Sequence, residues 1–352
     1  MIAYINGIGN ISPQKSWDGS ALLEQPLEYD GDRLNCYEPD YSKFIDPKQL
    51  RRMSRIIKMG VAAGSVALKD AGLSIPDGII TGTAYGCLDD TGIFLNKMIE
   101  NKEHALNPTP FIQSTHNTIG SQIALLLQCQ GYNQTYTQGA FSFENSLLDA
   151  LLELQDEPSQ SIMVGGVDEI TNVSHALQKR FGIFKKERQK SLDLFSSKSN
   201  GTMNGEGAAY FVLSGVKGDH TPVCIDSVAT FYKPDDGSLI EKISQFLKAA
   251  SLENTDIDLL LLGKCGDQKL DEKTEAISSA LFGSSSIGLF KHLSGEYPTA
   301  CAFALWLATR IIRENFIPKS IVFNTVRRPI KRVLIYNSYF GTHHSLILLN
   351  AC

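Results

Sequence analysis

The sequence has no uninterrupted apolar run of the roughly 18 residues that a membrane-spanning helix needs. It also lacks a signal segment of the usual kind. Met1 leads directly into IAYINGIG, a strand-like pattern without a charged region followed by an apolar core. These two absences predict a protein without membrane contacts and with a cytoplasmic location.

An excess of positive charge is missing as well. Lysine and arginine total 33 against 38 aspartate and glutamate residues, which gives a formal net charge of −5 and argues against a nucleic-acid partner. The seven cysteines are scattered and form no CxxC pair, so we expect neither a disulfide framework nor a zinc site. We also expect no other metal and no cofactor.

A helical pattern occupies residues 46–73, DPKQLRRMSRIIKMGVAAGSVALKDAGL. Asp46 suits the N-cap and Pro47 the first helical position, while Gly72 suits a left-handed C-terminal cap. Apolar residues recur every three or four positions and predict one buried stripe: Leu50, Met53, Ile57, Val61 and Leu68. We therefore predict one helix across this segment.

The two parts of the chain repeat the same patterns in the same order. A buried strand that runs into a glycine turn occurs as DGIITGTAYG at 77–86 and again as DIDLLLLGKCGD at 256–267. A turn before a long apolar helix occurs as TYTQGAFSFENSLLDALLEL at 135–154 and as FKHLSGEYPTACAFALWLATRII at 290–312. Motifs that recur in the same order within one chain are typical of an internal duplication.

We predict an N-terminal half at residues 1–217 and a C-terminal half at residues 218–352. Strands alternate with helices in each half and are apolar on both sides, so the fold class should be α/β with helices on both sheet faces. The turn before the first long helix holds Gly139 and Ala140, where many enzymes place a nucleophile, and its first hydroxyl is Ser142. We call residues 139–142 the elbow.

These motifs resemble those of the β-ketoacyl-acyl-carrier-protein synthases, the condensing enzymes of the thiolase fold. RRMSRIIKMGVAAGSVALKDAGL is similar to the first long helix of that family, and PFIQSTHNTIGSQIA, MVGGVDE and NGTMNGEGAAYFVL are similar to its later motifs. DEKTEAISSALFG, LFKHLSGEYPTACAFA and NSYFGTHHSLIL continue the similarity through the second half. The resemblance implies a thiolase-like five-layer αβαβα fold built from two similar halves.

The resemblance also implies where the catalytic groups of the family would fall. In the family, a cysteine at the N-terminus of a buried helix holds the acyl chain. Two histidines assist loss of carbon dioxide from a malonyl group and stabilise the enolate. Carried over by motif, the cysteine falls on Ala140, the first histidine on Gly263 and the second on Glu296. The lysine of the family survives as Lys291, so the chain keeps none of the three catalytic groups.

Other residues are candidate substitutes or pocket residues. His343 and His344 lie in a shortened loop that lines the pocket in the family, although loop histidines are mostly exposed or capping. Cys265 borders the first histidine position, although a free cysteine there is usually an inert small hydrophobe. Glu296 is suited to cap a helix, to pair with Lys291 or to act as a general acid. The resemblance places the substrate pocket near His116, Phe141 and Phe340.

The resemblance implies a dimer formed through the strand at about Gln134 to Gln138, backed by the helix from Ser142. In the thiolase fold this strand pairs across the two-fold axis, which removes an exposed sheet edge. Glu144 and Asp149 are charges inside the otherwise apolar helix. They either face the partner subunit or pair inside the protein.

Together these features predict a non-catalytic ketosynthase-like subunit. It resembles the chain-length factors that support fatty-acid or polyketide chain elongation with an active ketosynthase, and its short chain resembles members from aryl-polyene pathways. Its expected partners are a catalytic ketosynthase in a heterodimer, or a second copy in a homodimer, and an acyl carrier protein. Two alternatives stay open: an active acyltransferase, decarboxylase or thioesterase with a non-standard site, and a stand-alone homodimer that binds acyl chains or carrier proteins.

Overall fold

The computed structural model describes residues 2–218, 222–326 and 329–352. Its strands are β1 (Ala3–Ile11), β2 (Asp30–Gly31), β3 (Arg33–Leu34), β4 (Gly78–Gly82), β5 (Tyr132–Tyr136), β6 (Ser161–Asp168), β7 (Gln189–Lys190), β8 (Asn204–Gly205), β9 (Gly207–Ser214), β10 (Val223–Tyr232), β11 (Leu259–Gly263), β12 (Ser286–Leu289), β13 (Val322–Asn324), β14 (Arg332–Tyr339) and β15 (His343–Ala351). Its helices are α1 (Pro47–Leu50), α2 (Arg55–Ala71), α3 (Leu88–Glu100), α4 (Pro108–Gln113), α5 (Thr118–Leu127), α6 (Ser142–Asp156), α7 (Asn172–Arg180), α8 (Asp236–Ala249), α9 (Gln268–Leu281), α10 (Lys291–Ser294) and α11 (Ala300–Glu314). No helix within these ranges is both long and apolar enough to cross a membrane.

The strands of the two halves are arranged in the same way. The N-terminal half has the order β5–β4–β6–β9–β1, and the C-terminal half repeats it as β12–β11–β14–β15–β10. In each half the first three strands are parallel and the other neighbours are antiparallel. A short antiparallel contact between β1 and β10 joins the halves edge to edge. The predicted boundary at 217 and 218 falls between β9 and β10, and we retain it as a proposal.

Helices cover both faces of each half, so neighbouring residues of one strand belong to different apolar clusters. Ile80 of β4 and Leu261 of β11 face a middle layer that contains α6 and α11. Ile79 and Leu260 face the opposite way, towards α2 and α5 in the first half and α8 and α9 in the second. The predicted five-layer αβαβα fold of two similar halves is therefore confirmed.

The segment predicted as one helix forms two. Asp46 caps α1 by accepting a hydrogen bond from the Lys48 amide at 2.8 Å, but α1 ends at Leu50 and α2 begins after Ser54. Met53 lies in the break and is buried. The apolar spacing therefore continues across the break, and the sequence pattern does not reveal that the helix is interrupted. Gly72 closes α2 with a φ of 67°, in the left-handed conformation that was predicted.

Two of the scattered cysteines are paired, contrary to our expectation. Cys224 on β10 forms a disulfide with Cys352, which follows β15, and their Cα atoms are 6.4 Å apart. The two residues are separated by 128 positions in the sequence. Only the pairing of β10 with β15 brings them together, and no local spacing indicates it.

The packing of β1 on α2 depends on glycine. A Cβ atom at Gly9 would lie 2.0 Å from the Ala63 carbonyl oxygen, so a side chain there must displace backbone. We expect Gly9→Ala to lower the free energy of unfolding by about 2 kcal/mol in urea titrations, as overpacking does. Gly92→Ala in α3 is the control and should be neutral or slightly stabilising, because the space around Gly92 is open. Equal stability of the two variants would contradict this packing.

Candidate functional site

The elbow joins β5 to the buried helix α6. A 3-10 turn over Gly139–Phe141 makes the connection, and the φ of 57° at Gly139 is a left-handed conformation that favours glycine. Ala140 follows at the start of the helix and is only 4% exposed. Its methyl group cannot form a thioester. The nearby Ser142 hydroxyl donates to the Gly139 carbonyl oxygen at 2.7 Å and is used to close the turn.

Gly263 is the last residue of β11 and lies opposite Asn337 of β14. A Cβ atom at Gly263 would come within 2.5 Å of Asn337 Oδ1, so a histidine does not fit there unless Asn337 moves. Asn337 is buried, and its Oδ1 atom has no hydrogen-bond partner among the described residues. An amide therefore occupies the space that a side chain at position 263 would enter.

Glu296 and Lys291 form a fully buried ion pair, with Lys291 Nζ 2.8 Å from Glu296 Oε2. Lys291 also donates to the Ser338 carbonyl oxygen at 3.0 Å. Burial raises the pKa of Glu296, and the charge of Lys291 opposes that increase. Glu296 Oε1 finds no partner within the part of the chain that the structure describes. An ionised carboxylate donates no hydrogen bond, so in this state Glu296 cannot stabilise an oxyanion as a histidine does.

A small cavity opens beside Glu296. It also touches Tyr339 at the end of β14, Phe340 in the turn before β15, and Asp168 at the end of β6. Its volume of 20 Å³ is little more than the ~10–15 Å³ that one water molecule needs. Phe340 has a φ of 47°, which is uncommon for a bulky residue. Phe340, a predicted pocket residue, and Glu296 therefore line the same cavity, which in this structure has the volume of about one water molecule.

His343 and His344, which we expected in a loop, are instead the first two residues of β15 and lie on its opposite faces. His344 is buried on the outer face, where its Nδ1 lies 3.0 Å from the hydroxyl of Tyr336. His343 lies on the inner face, and its ring packs against Phe141 of the elbow with the ring centroids 4.7 Å apart. Burial lowers the pKa of His343, as does the positive charge of Lys233. Of the two histidines, only His343 lies near the elbow, and its ring is neutral at pH 7.

Cys265 and His116 are poorly placed for chemistry. Burial raises the pKa of the Cys265 thiol, and the nearby charges of Glu296 and Asp271 raise it further. A thiol in such surroundings stays protonated and is a poor nucleophile. His116 is exposed, packs on Gly86 and does not line the cavity beside Glu296.

Comparison with known sequences identifies the family. The profile described as "Beta-ketoacyl synthase, N-terminal domain" matches residues 3–217. The chain belongs to the β-ketoacyl synthase family. A curated relative, the 3-oxoacyl-[acyl-carrier-protein] synthase 2 of Vibrio harveyi, is 22% identical over 235 residues, which cover 59% of this chain. The match spans 56% of that relative, little more than half of its length.

Solved structures of β-ketoacyl synthases and their relatives share the fold over nearly the whole chain. The ishigamide ketosynthase/chain length factor has a TM-score of 0.82 at 18% identity, covering 100% of this chain and 99% of that one. The complex of the ketosynthase ApeO with its chain length factor ApeC from Xenorhabdus doucetiae has a TM-score of 0.77 at 16% identity, covering 99% and 98%. At sequence identities this low, the structural similarity establishes a shared fold and nothing further.

The two charges in the elbow helix of this β-ketoacyl synthase family member have different surroundings. Glu144 lies one turn after Ala140 and is fully buried, and its Oε1 accepts a hydrogen bond from the Ser345 hydroxyl at 2.7 Å. Burial raises the pKa of Glu144 to about 7. Asp149 instead lies at the surface, where the Tyr132 hydroxyl donates to it at 3.1 Å. Both acids therefore pair inside the protein, Glu144 in the core and Asp149 at the surface.

Asp168 is a buried residue that sequence reasoning missed. It accepts hydrogen bonds from the Ala84 amide and the Thr299 hydroxyl, both at 2.9 Å, and so links the segment after β4 to the start of α11. Burial raises the pKa of Asp168 to about 6. In the sequence it is only the end of the strand motif MVGGVDE, and its partners are 84 and 131 positions away.

The raised pKa of Glu144 predicts a pH-dependent stability. Folded Glu144 keeps its proton up to about pH 7, whereas a carboxyl with the ordinary pKa of 4.5 in the unfolded chain loses it earlier. The contribution of protonated Glu144 to the free energy of unfolding is therefore fully present below about pH 4.5. It is lost as the pH rises through 7, by about 3 kcal/mol in total. Glu144→Gln should remove this loss, so the variant should gain stability relative to the parent between about pH 5 and about pH 8.

Urea titrations across that pH range measure the difference. Glu272→Gln on the exposed face of α9 is the matched control and should show no pH-dependent difference from the parent. A stability difference between Glu144→Gln and the parent that stays constant with pH would show that Glu144 does not hold a proton in the folded protein.

Proposed function

We propose that the chain is a non-catalytic subunit, similar to a chain length factor, which supports fatty-acid- or polyketide-type chain elongation by an active ketosynthase. This proposal rests on the residues found at the three positions where the family has its catalytic cysteine and two histidines. Ala140 offers a methyl group, Gly263 has no side chain, and Glu296 is held in an ion pair.

The solved neighbours support the partner class. One is a ketosynthase/chain length factor, and another is a ketosynthase in complex with its chain length factor. A third is a polyketide acyl-carrier protein in complex with its ketosynthase. An acyl carrier protein is therefore the second partner that we propose for this chain.

Each replaced residue removes a different part of the condensation chemistry. Without a thiolate at position 140 no acyl-enzyme forms there, and without donors at positions 263 and 296 an enolate oxygen is not stabilised. Loss of a single oxyanion donor typically costs about 10²–10³ in rate. Because the three positions lie in the elbow, at the end of β11 and before α11, no single change restores the set.

The partner ketosynthase is proposed to bind along β5. This strand ends the sheet, so its outer backbone groups face no neighbouring strand in the described ranges. It contains neither lysine nor proline, the residues that commonly protect an exposed edge. Leu125 of α5 and Leu152 of α6 are 70% and 62% exposed beside it, and residues of α5 and β5 line a groove of 750 Å³. A strand from a second chain would cover these features together.

Returning the nucleophile alone should not restore catalysis. Ala140→Cys supplies a thiol at the start of α6, but Gly263 and Glu296 still provide no donor for the enolate. We expect condensation of acyl- and malonyl-carrier proteins by this variant to stay at least about a hundredfold slower than by an active ketosynthase. Product formation is measured by mass spectrometry, with Ala140→Ser as the control of similar size.

Robust turnover by Ala140→Cys would contradict the proposal. It would favour the alternative of an active acyltransferase, decarboxylase or thioesterase with a non-standard site. The observation in favour of that alternative is the position of His343, whose ring packs against Phe141 of the elbow. Ala140→Cys combined with His343→Ala would then lose the turnover.

Co-expression with a ketosynthase that keeps its cysteine and both histidines should yield a heterodimer. Size-exclusion chromatography followed by native mass spectrometry measures the composition. Leu152→Arg should weaken the complex at least about tenfold, because it places a charge in the centre of the proposed interface. Val216→Arg is the control, since Val216 is also exposed but lies in the link between the halves. Pure homodimers beside every ketosynthase of the same cell would favour the stand-alone binding protein.

A further inference from the structure

A long part of the sequence contains no positive side chain other than histidine. No lysine or arginine occurs between Lys102 and Lys179. This stretch includes α4, α5, β5 and α6, and so contains the elements of the proposed binding edge. Apart from its buried acids, the stretch contains five acidic residues that are partly or fully exposed: Glu103, Asp149, Glu153, Asp156 and Glu157.

Two of these acids lie directly over the edge strand. The Tyr132 hydroxyl at the start of β5 donates to Asp149 Oδ2 at 3.1 Å. Tyr136 at the other end of β5 has a raised pKa, first because of burial and then because of the negative charges of Asp149 and Glu153. Asp149 and Glu153 are one turn apart on α6 and are half-buried. We call Tyr132, Tyr136, Asp149 and Glu153 the acidic edge.

We infer that the acidic edge disfavours pairing of this chain with itself and selects a partner subunit that presents lysine or arginine at the facing positions. This inference rests on the proposed pairing through β5. In a two-fold symmetric dimer the same patch faces its own copy, so carboxylates from both chains approach each other. No lysine or arginine of the stretch is available to neutralise them. Like charges across an interface suppress the wrong partner, whereas opposite charges favour the right one.

The test uses only variants of this chain. The double variant Asp149→Lys/Glu153→Lys reverses the charge of the acidic edge and is mixed with the parent protein. At about 0.1 M salt, where charges interact over about 10 Å, the mixed dimer should form at least about tenfold more tightly than either homodimer. At about 1 M salt the interaction range falls to about 3 Å, and this preference should disappear. Native mass spectrometry with isotope-labelled parent protein distinguishes the species.

Two further variants complete the design. Asp149→Asn/Glu153→Gln keeps the size of the side chains and should form a tighter homodimer than the parent at low salt, even if the reversed variant does not fold. Glu241→Lys/Glu272→Lys, on the exposed faces of α8 and α9, makes the same change of net charge as the reversed variant and should not change the preference. A parent homodimer that is indifferent to salt and to these substitutions would overturn the inference. A chain that stays monomeric in every mixture would overturn it too.

These outcomes are separate from those of the proposed function. The mixing experiment contains no ketosynthase, so its result depends only on how the acidic edge meets a second copy. Failure to bind any ketosynthase would count against the proposed function. Equal affinity of the parent and the charge-reversed chain for the parent would count against the acidic edge alone.

Discussion

The buried ion pair between Lys291 and Glu296 constrains the chemistry of the candidate site. Burying two charges costs desolvation, and close contact between both partners offsets that cost, so each charge stabilises the other. The Ser338 carbonyl oxygen holds Lys291 further in place, and the cavity beside Glu296 has the volume of about one water molecule. The candidate site thus contains a methyl group at Ala140 and a paired carboxyl group at Glu296.

Other buried acids extend this core and join the two halves. Glu144 of α6 is bonded to Ser345 of β15, and Asp168 of β6 is bonded to Thr299 next to α11. Each bond connects a residue of the first half to one of the second half, so the middle layer is held by polar contacts as well as by apolar packing. The interior thereby contributes to stability, and we propose that the surface along β5 is used for recognition. Such a division of roles would suit the non-catalytic subunit that we propose.

Much of the fold could be predicted because it follows from local periodicity. The repeated strand-and-turn motifs indicated two similar halves, whereas the five-layer arrangement and the assignment of a catalytic position to Gly263 came from the resemblance to the β-ketoacyl synthases. The break between α1 and α2 was missed because Met53 continues the apolar stripe through it. The roles of His343 and His344 depended on which face of β15 each occupies, and that is set by pairing with β10 and β14. The contact of Glu144 with Ser345 spans 201 positions and leaves no local trace beyond a charge in an apolar helix.

The central claim is that catalysis resides in the partner and not in this chain. The most direct measurement is a map of acylation in the purified complex with a ketosynthase, after incubation with acyl-carrier protein and digestion for peptide mass spectrometry. We expect the acyl group on the catalytic cysteine of the ketosynthase and on none of the seven cysteines of this chain. An acyl group on Cys265, or on any other cysteine of this chain, would contradict that claim.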